Sequence, residues 1–271
     1  MNPRPGRLVL LGHPVAHSLS PRIQNAALRR AGIPLVYEAL DVPPADLGRT
    51  LGTLRAIGAA GNVTIPHKEA VAAHCDGLTP VARRAGAVNT FWCGGGRLIG
   101  DNTDVGGFEV VAANLLGRPE GMRSISVALL GAGGAAAAVL VAVERWTDAR
   151  VRVFSRSGDR TRRLCARFPG LAEAVETADD AVRGADLVVN ATPIGLTDDL
   201  MPIDPARLEP GAAAIDLVYR RGGTPWTRAA TRLGRRAVDG TAVLLEQGAL
   251  AFERWFGLAP DRTVMREALS Q

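Results

Sequence analysis

Short apolar runs recur along the chain, each bounded by glycine, proline or small polar residues. Residues 125–130 and 187–189 are continuous apolar stretches of strand length, as expected for strands buried on both faces. Segments of helical period stand between such runs, and this alternation argues for parallel sheets with crossover helices. In the first part of the chain it predicts a strand at 7–11 and a helix at 20–31, with Ser20 and Pro21 at the cap and first turn. A strand at 35–40, a helix near 45–58, a short buried strand at 61–65 and a helix beginning within 66–73 follow. Residues 87–92 and 97–100 read as two strands joined by the Gly94-Gly95-Gly96 turn. A helix near 107–116 and a loop at 117–123, holding Pro119 and Gly121, lead into a second set. That set has a strand at 125–130, a glycine turn at 131–134, a helix at 135–146 and strands at 151–154, 187–190 and 213–216. A last long helix, 242–256, follows Gly240 and ends at Gly257. There is no repeat, low-complexity tract or long linker, and 271 residues so organised fit two α/β domains.

Composition narrows the class. The apolar runs fall far short of the ~18–20 residues of a membrane span. The amino terminus enters a strand and a Gly-Pro turn without the apolar stretch of a secretory signal, so a cytoplasmic protein is expected. Three cysteines, Cys75, Cys93 and Cys165, are widely spaced and lack metal-ligand spacing, so neither disulfides nor a metal is expected. The net charge is +5, yet the arginines are scattered among acids without an aromatic-rich basic stripe, which argues against nucleic acid. A positive surface also suits phosphate-bearing ligands. Among the 32 basic residues only one is lysine, Lys68. Arginine does not readily release its proton, whereas a lysine ammonium has a movable pKa, so Lys68 is a candidate for proton transfer.

The run from Ile125 to Ala136 is a strand, a G-x-G-x-x-A turn and a helix start, the order a dinucleotide site requires. Gly131 permits the tight turn, Gly133 removes a side chain where a pyrophosphate would approach, and Ala136 lets the helix lie close to the strand. Free N–H groups at the helix end then face the phosphates. The next strand ends Phe154-Ser155-Arg156-Ser157, without the carboxylate that takes both ribose hydroxyls of NAD. Arg156 and Arg160 suit a 2′-phosphate, favouring NADP, while nearby Asp159 keeps NAD open.

Two fragments, Asn62 to Lys68 and Gly100 to Asp104, place polar groups at the carboxyl ends of short apolar strands, where open α/β sheets bind ligands. Hydride transfer to a ketone creates an alkoxide, which needs a proton donor within reach. Lys68 fits that role, and Asp104 beside it would fix the ammonium and accept a substrate hydroxyl. Asn62, Asn89, Asn102 and Asn190 all adjoin predicted strand ends, where asparagine either closes a turn or binds a ligand. Gln247 shares a helix face with Val243, Leu250 and Ala251, a polar group on an apolar stripe that needs a partner.

In chain order, several fragments together resemble the shikimate dehydrogenase family over essentially the whole chain. They are Gly12-His13-Pro14, His17-Ser18-Leu19-Ser20-Pro21, Asn62 to Lys68, Gly86 to Thr90, Asn102-Thr103-Asp104, the glycine turn, Asn190-Ala191-Thr192-Pro193, Asp216-Leu217-Val218-Tyr219 and Gln247 to Phe252. The resemblance implies NADPH-dependent reduction of 3-dehydroshikimate to shikimate, with quinate or aminoshikimate oxidation, or a non-catalytic NADP-binding module, as alternatives. It implies Ser18 and Ser20 on the substrate carboxylate, Thr64, Asn89, Asp104 and Gln247 on its hydroxyls, Asn62 in the same group, and Lys68 as catalytic acid or base. Tyr219 would reach the substrate from the cofactor domain, and Leu217 and Gly240 would lie beside the nicotinamide. Gly131, Ala132, Gly133, Gly134, Ala135, Ser155, Arg156, Ser157, Arg160, Asn190 and Thr192 would complete the NADP site. The implied architecture is a discontinuous substrate domain, 1–107 plus 246–271, around a Rossmann-type NADP domain, 108–245, in a monomer or homodimer. The Ser18-x-Ser20 pair favours shikimate over quinate. Three places depart from the family pattern: Ser155-Arg156-Ser157 stands for Asn-Arg-Thr, Ala137 for an arginine, and Ala242 and Val243 for Gly and Met.

Overall fold

A computed structural model describes residues 5–118 and 121–270. The start of the amino-terminal segment and Pro119 of the 117–123 loop lie outside these residues. In chain order the elements are β1 (Leu8–Gly12), α1 (Ser20–Arg30), β2 (Tyr37–Asp41), a 3-10 turn (Pro44–Asp46), α2 (Leu47–Ala56), β3 (Ala60–Val63), α3 (Lys68–His74), β4 (Gly77–Leu78), α4 (Pro80–Ala85), β5 (Thr90–Gly94), β6 (Arg97–Asp101) and α5 (Thr103–Leu116). Then follow β7 (Ser126–Leu130), α6 (Gly134–Val143), β8 (Arg150–Phe154), α7 (Gly158–Cys165), β9 (Ala172–Ala174), α8 (Ala178–Val182) and β10 (Leu187–Asn190). A second 3-10 turn (Pro205–Arg207), β11 (Ala213–Asp216), α9 (Pro225–Arg232), β12 (Arg236–Val238), α10 (Gly240–Phe256) and α11 (Arg262–Ser270) complete the chain. It forms two compact units, one of Met1–Gly107 with Leu244–Gln271, the other Phe108–Val243. Among the described residues no helix is long and apolar enough to cross a membrane.

The first unit is built on a six-stranded sheet in the order β2-β1-β3-β5-β6-β4. β1 runs parallel to β2 and β3, but β5 is antiparallel to both β3 and β6, so the sheet is mixed where alternation alone predicts parallel pairing. The reason is local. Gly95 and Gly96 both take positive φ, +58° and +73°, the geometry of a two-residue hairpin turn that returns the chain beside itself. Leu11, Leu51, Leu54, Val71, Val88 and Phe91 share one core on this sheet. α11 packs on α1, burying Met265 completely.

The second unit has a six-stranded sheet in the order β12-β11-β10-β7-β8-β9 with every pair parallel. Chain order runs outward from β7 on one side and from β10 on the other, so the strand order reverses between those two central strands. All six carboxyl ends lie along one edge, and in such sheets the ligand crevice opens at this reversal. α6 begins there and is buried from Ala136 to Val143, its small alanines allowing close approach to the sheet. Trp226 of α9 shares a buried core with Leu130, Val188 and Ala214 of this sheet.

Candidate functional site

In the first unit the site grows from the loops after β3 and β6. The chain leaves β3 at Val63 and turns at Thr64–His67, closed by His67 N–H donating to the Thr64 carbonyl at 2.9 Å. The His67 ring is buried, with Nε2 2.6 Å from the Val42 carbonyl oxygen, which pins the start of α3. Lys68 is the first residue of that helix, and its carbonyl accepts from Val88 N–H at 2.9 Å. Asp104 lies in the first turn of α5. Lys68 Nζ donates to Asp104 Oδ2 at 2.7 Å, with about a fifth of each side chain exposed.

Asn89, just ahead of β5, links the rest. Its Nδ2 lies 2.7 Å from Asp104 Oδ1, 3.1 Å from Thr103 Oγ1 and 3.1 Å from Gln247 Oε1, while its Oδ1 accepts from Thr103 N–H at 2.7 Å. An amide has two N–H bonds, so three acceptors share them, the carboxylate holding the shortest contact. Gln247 donates its own Nε2 to the Leu244 carbonyl at 3.0 Å, which turns its oxygen toward Asn89 and supplies the partner its place on an apolar face requires.

Ser18 and Ser20 stand at the start of α1, with Ser20 N–H donating to Ser18 Oγ at 3.2 Å and no acid in the helix's first turn. Thr64 is half-buried at the turn after β3. Asn62 departs from the ligand-contacting position expected of it. Its Oδ1 accepts from the buried Tyr37 hydroxyl at 2.8 Å, and its Nδ2 donates to the Asn89 carbonyl and Thr90 Oγ1 at 3.0 and 2.9 Å. Both amide hydrogens are thus used within the protein, and Asn62 is a strut behind Asn89. Tyr37, Thr90 and Thr103, which complete this network, carry no local signal in the sequence, because their partners lie on other elements.

In the second unit the turn after β7 carries the cradle. Gly131 has φ +123°, and a Cβ there would come within 2.7 Å of the Ala191 carbonyl oxygen, so only glycine seats the turn against the loop after β10. Above Gly133 a Cβ would meet nothing nearer than Arg160 Nη2 at 3.9 Å. Gly133 caps α6 without a side chain, and no acid occupies the first turn. Open space over a glycine and unopposed N–H groups at a helix start fit a dinucleotide diphosphate. Ala132, Gly134 and Ala135 complete the turn.

The loop after β8 holds exposed Arg156 and Ser157, with Arg160 in the first turn of α7. Asp159 pairs with Arg162 at 2.5 Å, one residue inside α7 rather than at the strand end. Ser155 lies differently from the expectation: its hydroxyl is turned into the loop, 2.7 Å from Thr161 Oγ1 and 3.2 Å from the Ser157 carbonyl. Asn190 is fully buried, also unlike a ligand contact. It donates to Asp216 Oδ1 at 2.8 Å and accepts from Thr192 N–H and Oγ1 at 3.0 and 2.6 Å. Leu217 N–H donates to the Asn190 carbonyl at 2.9 Å, Gly240 N–H to the Val218 carbonyl at 2.9 Å, and Tyr219 follows, half-buried. Asp216 was not among the expected site residues. Burial pushes its carboxyl up to about 6, against the hydrogen bonds from Thr224, Val218 and Asn190, which favour the charged form.

The family model for the shikimate dehydrogenase substrate binding domain matches residues 10–91, and that for the shikimate 5′-dehydrogenase C-terminal domain matches residues 240–269. The shikimate dehydrogenase (NADP(+)) of Rubrobacter xylanophilus is 45% identical over 96% of this chain and 94% of its own. A crystal structure of shikimate 5-dehydrogenase from Thermus thermophilus, in complex with NADP(H) and shikimate, superposes with a TM-score of 0.87 at 41% identity over 97% of each chain. Quinate dehydrogenase from Corynebacterium glutamicum, in complex with NAD, gives a TM-score of 0.87 at 30% identity over 97% of each chain. With a paired lysine and aspartate in one unit, a dinucleotide cradle in the other, and relatives this similar over nearly the full length, the chain belongs to the shikimate dehydrogenase family.

Proposed function

We propose that the protein catalyses the reversible NADPH-dependent reduction of 3-dehydroshikimate to shikimate. The observation that carries this reading is the 2.7 Å pair between Lys68 Nζ and Asp104 Oδ2, half-buried and braced by Asn89. NADPH, when bound, supplies the hydride to the ketone carbon. Lys68 hydrogen-bonds the ketone oxygen as negative charge builds there and passes it a proton; in the reverse direction it takes the hydroxyl proton. Asp104 keeps the Lys68 amine aimed, and its carboxylate accepts a ring hydroxyl of the substrate. Thr64 and Gln247 offer further hydroxyl contacts, as does Asn89 when a substrate hydroxyl displaces its longer, 3.1 Å contact to Gln247 Oε1. Ser18 and Ser20, at a helix start free of acids, hold the substrate carboxylate, where the helix dipole favours negative charge.

Gly131 to Ala135 hold the cofactor diphosphate, and Thr192, Leu217 and Gly240 line its nicotinamide half. Arg156 and Arg160 take the 2′-phosphate. Two features favour NADP over NAD: β8 ends without a carboxylate, and Asp159 is engaged by Arg162 inside α7. Retention of both Ser18 and Ser20 favours shikimate over quinate. Steady-state kinetics with shikimate and quinate, each with NADP and NAD, test the reading. The highest kcat/KM is expected for shikimate with NADP, and a preference for quinate with NAD would overturn it.

A further inference from the structure

Asp216 is fully buried at the carboxyl end of β11, and its carboxylate gathers three segments of the chain. Oδ1 accepts from Asn190 Nδ2 at 2.8 Å, at the end of β10, and from Val218 N–H at 3.1 Å. Oδ2 accepts from Thr224 Oγ1 at 2.7 Å; Thr224 caps α9, accepting Thr227 N–H at 3.2 Å. Each segment leads to a cofactor position. Asn190 passes the restraint to Thr192 through two hydrogen bonds, and the neighbouring Ala191 carbonyl abuts Gly131. Val218 flanks Leu217 and holds Gly240 through its carbonyl.

Burying an ionised carboxylate costs free energy even when three donors compensate it. An amide side chain in the same place would keep the bonds from Asn190 and Val218 without that cost, and would donate its own N–H to Thr224 Oγ1. Asp239, at the end of β12, is the charged group facing Asp216, and its like charge adds to the cost. The charge therefore opposes the stability of the fold at the point where it organises three loops.

We infer that Asp216 is a positioning residue for the dinucleotide site, its ionised carboxylate drawing the Thr192 turn, the Leu217–Val218 segment and the start of α9 into one frame at the expense of folding stability. This rests on the reading that the second unit holds NADP, and failure of that reading would show separately, as wild-type protein that does not bind NADP. A protonated Asp216 replaces an acceptor by a donor and loosens the frame, so NADP affinity falls as pH drops through the range in which this group titrates.

The test is titration calorimetry of the full chain with NADP between pH 5 and pH 8, paired with thermal unfolding, for wild type and Asp216→Asn. Comparing variants at each pH cancels the titration of the cofactor's own 2′-phosphate. At pH 8 Asp216→Asn is expected to bind NADP roughly tenfold more weakly, as for loss of one charge-assisted hydrogen bond, yet to unfold at the same or a higher temperature. Its affinity loses the part of the acid limb that belongs to wild type. Thr224→Val, a second variant, removes the donor to Oδ2 and shifts that limb to higher pH, while Thr224→Ser restores it. Wild-type affinity and pH profile in Asp216→Asn would overturn the inference, as would a lowered unfolding temperature with an unaltered acid limb, or an unmoved limb in Thr224→Val.

Discussion

Asn89 Nδ2 lies 2.7 Å from Asp104 Oδ1, so the carboxylate that pairs with Lys68 through Oδ2 is fixed at both oxygens. Such a carboxylate cannot rotate away from the ammonium without breaking a second hydrogen bond. The same asparagine accepts from Thr103 N–H at 2.7 Å and so provides the acceptor for an end group of α5, the helix that carries Asp104. Asn89→Ala is expected to cost about 1–3 kcal/mol by leaving the buried Thr103 N–H unpaired, and to lower kcat/KM by roughly tenfold or more. Chemical unfolding and steady-state kinetics check the pair of effects, and a variant unchanged in both would contradict this place for Asn89.

The two glycines of the cradle differ in what they respond to. Gly131→Ala forces an alanine to φ +123° with its Cβ 2.7 Å from the Ala191 oxygen, so a loss of about 1–3 kcal/mol in stability is expected. Gly133→Ala meets no atom within 3.9 Å and is expected to leave the unfolding temperature near wild type while weakening NADP binding. Calorimetry of both variants decides the matter; equal destabilisation by the two would show that Gly133 is also held by packing.

Arg156 is exposed on the loop after β8. Arg156→Ala is expected to raise KM for NADP by about tenfold or more, the scale of a lost charge-assisted contact, and to change KM for NAD much less. Equal effects on the two cofactors would place the 2′-phosphate elsewhere.

Asp216 gives stability a pH dependence of definite sign. Its folded-state carboxyl titrates at about 6, above its ordinary value of 3.8, because burial disfavours the charge. The folded chain therefore binds this proton more tightly than the unfolded chain, and the resulting stabilisation is present below the ordinary value and lost as pH rises through about 6. Between pH 5 and pH 8 this group alone withdraws on the order of 1 kcal/mol from the wild type and nothing from Asp216→Asn. Urea unfolding of both proteins at the two pH values measures the difference, and parallel responses would contradict the raised value.

Much of the fold is legible where burial alone fixes the element. β10 and β11 are apolar up to their last residues, Asn190 and Asp216, and their bounds follow from the sequence because burial on both faces fixes every position before those two. β4 and β12 have two and three residues, too short to show a period, and α7 and α9 are dominated by polar residues. α5 begins at Thr103, four residues before the apolar pattern indicates, because its end group is accepted by Asn89, a residue distant in sequence. The same limit applies to the site. Lys68 stands out as the only lysine, and Asp104 as an acid at a strand end. Asn62 and Asn89 look alike in sequence, yet one faces Tyr37 and the other Asp104, a distinction made only when β2 and α5 are brought alongside. Asp216 reads as an ordinary strand-end aspartate because the donors that surround it come from two other segments as well as its own.

The proposed reaction turns on Lys68 as the proton donor to the oxygen that gains charge during hydride transfer. Single-turnover oxidation of bound NADPH by saturating 3-dehydroshikimate, in wild type and Lys68→Ala, measures that step apart from binding and release. In Lys68→Ala the rate is expected to fall by about 10²–10⁴-fold with substrate affinity little changed. A hydride-transfer rate within about threefold of wild type, with the loss appearing only in substrate affinity, would contradict it.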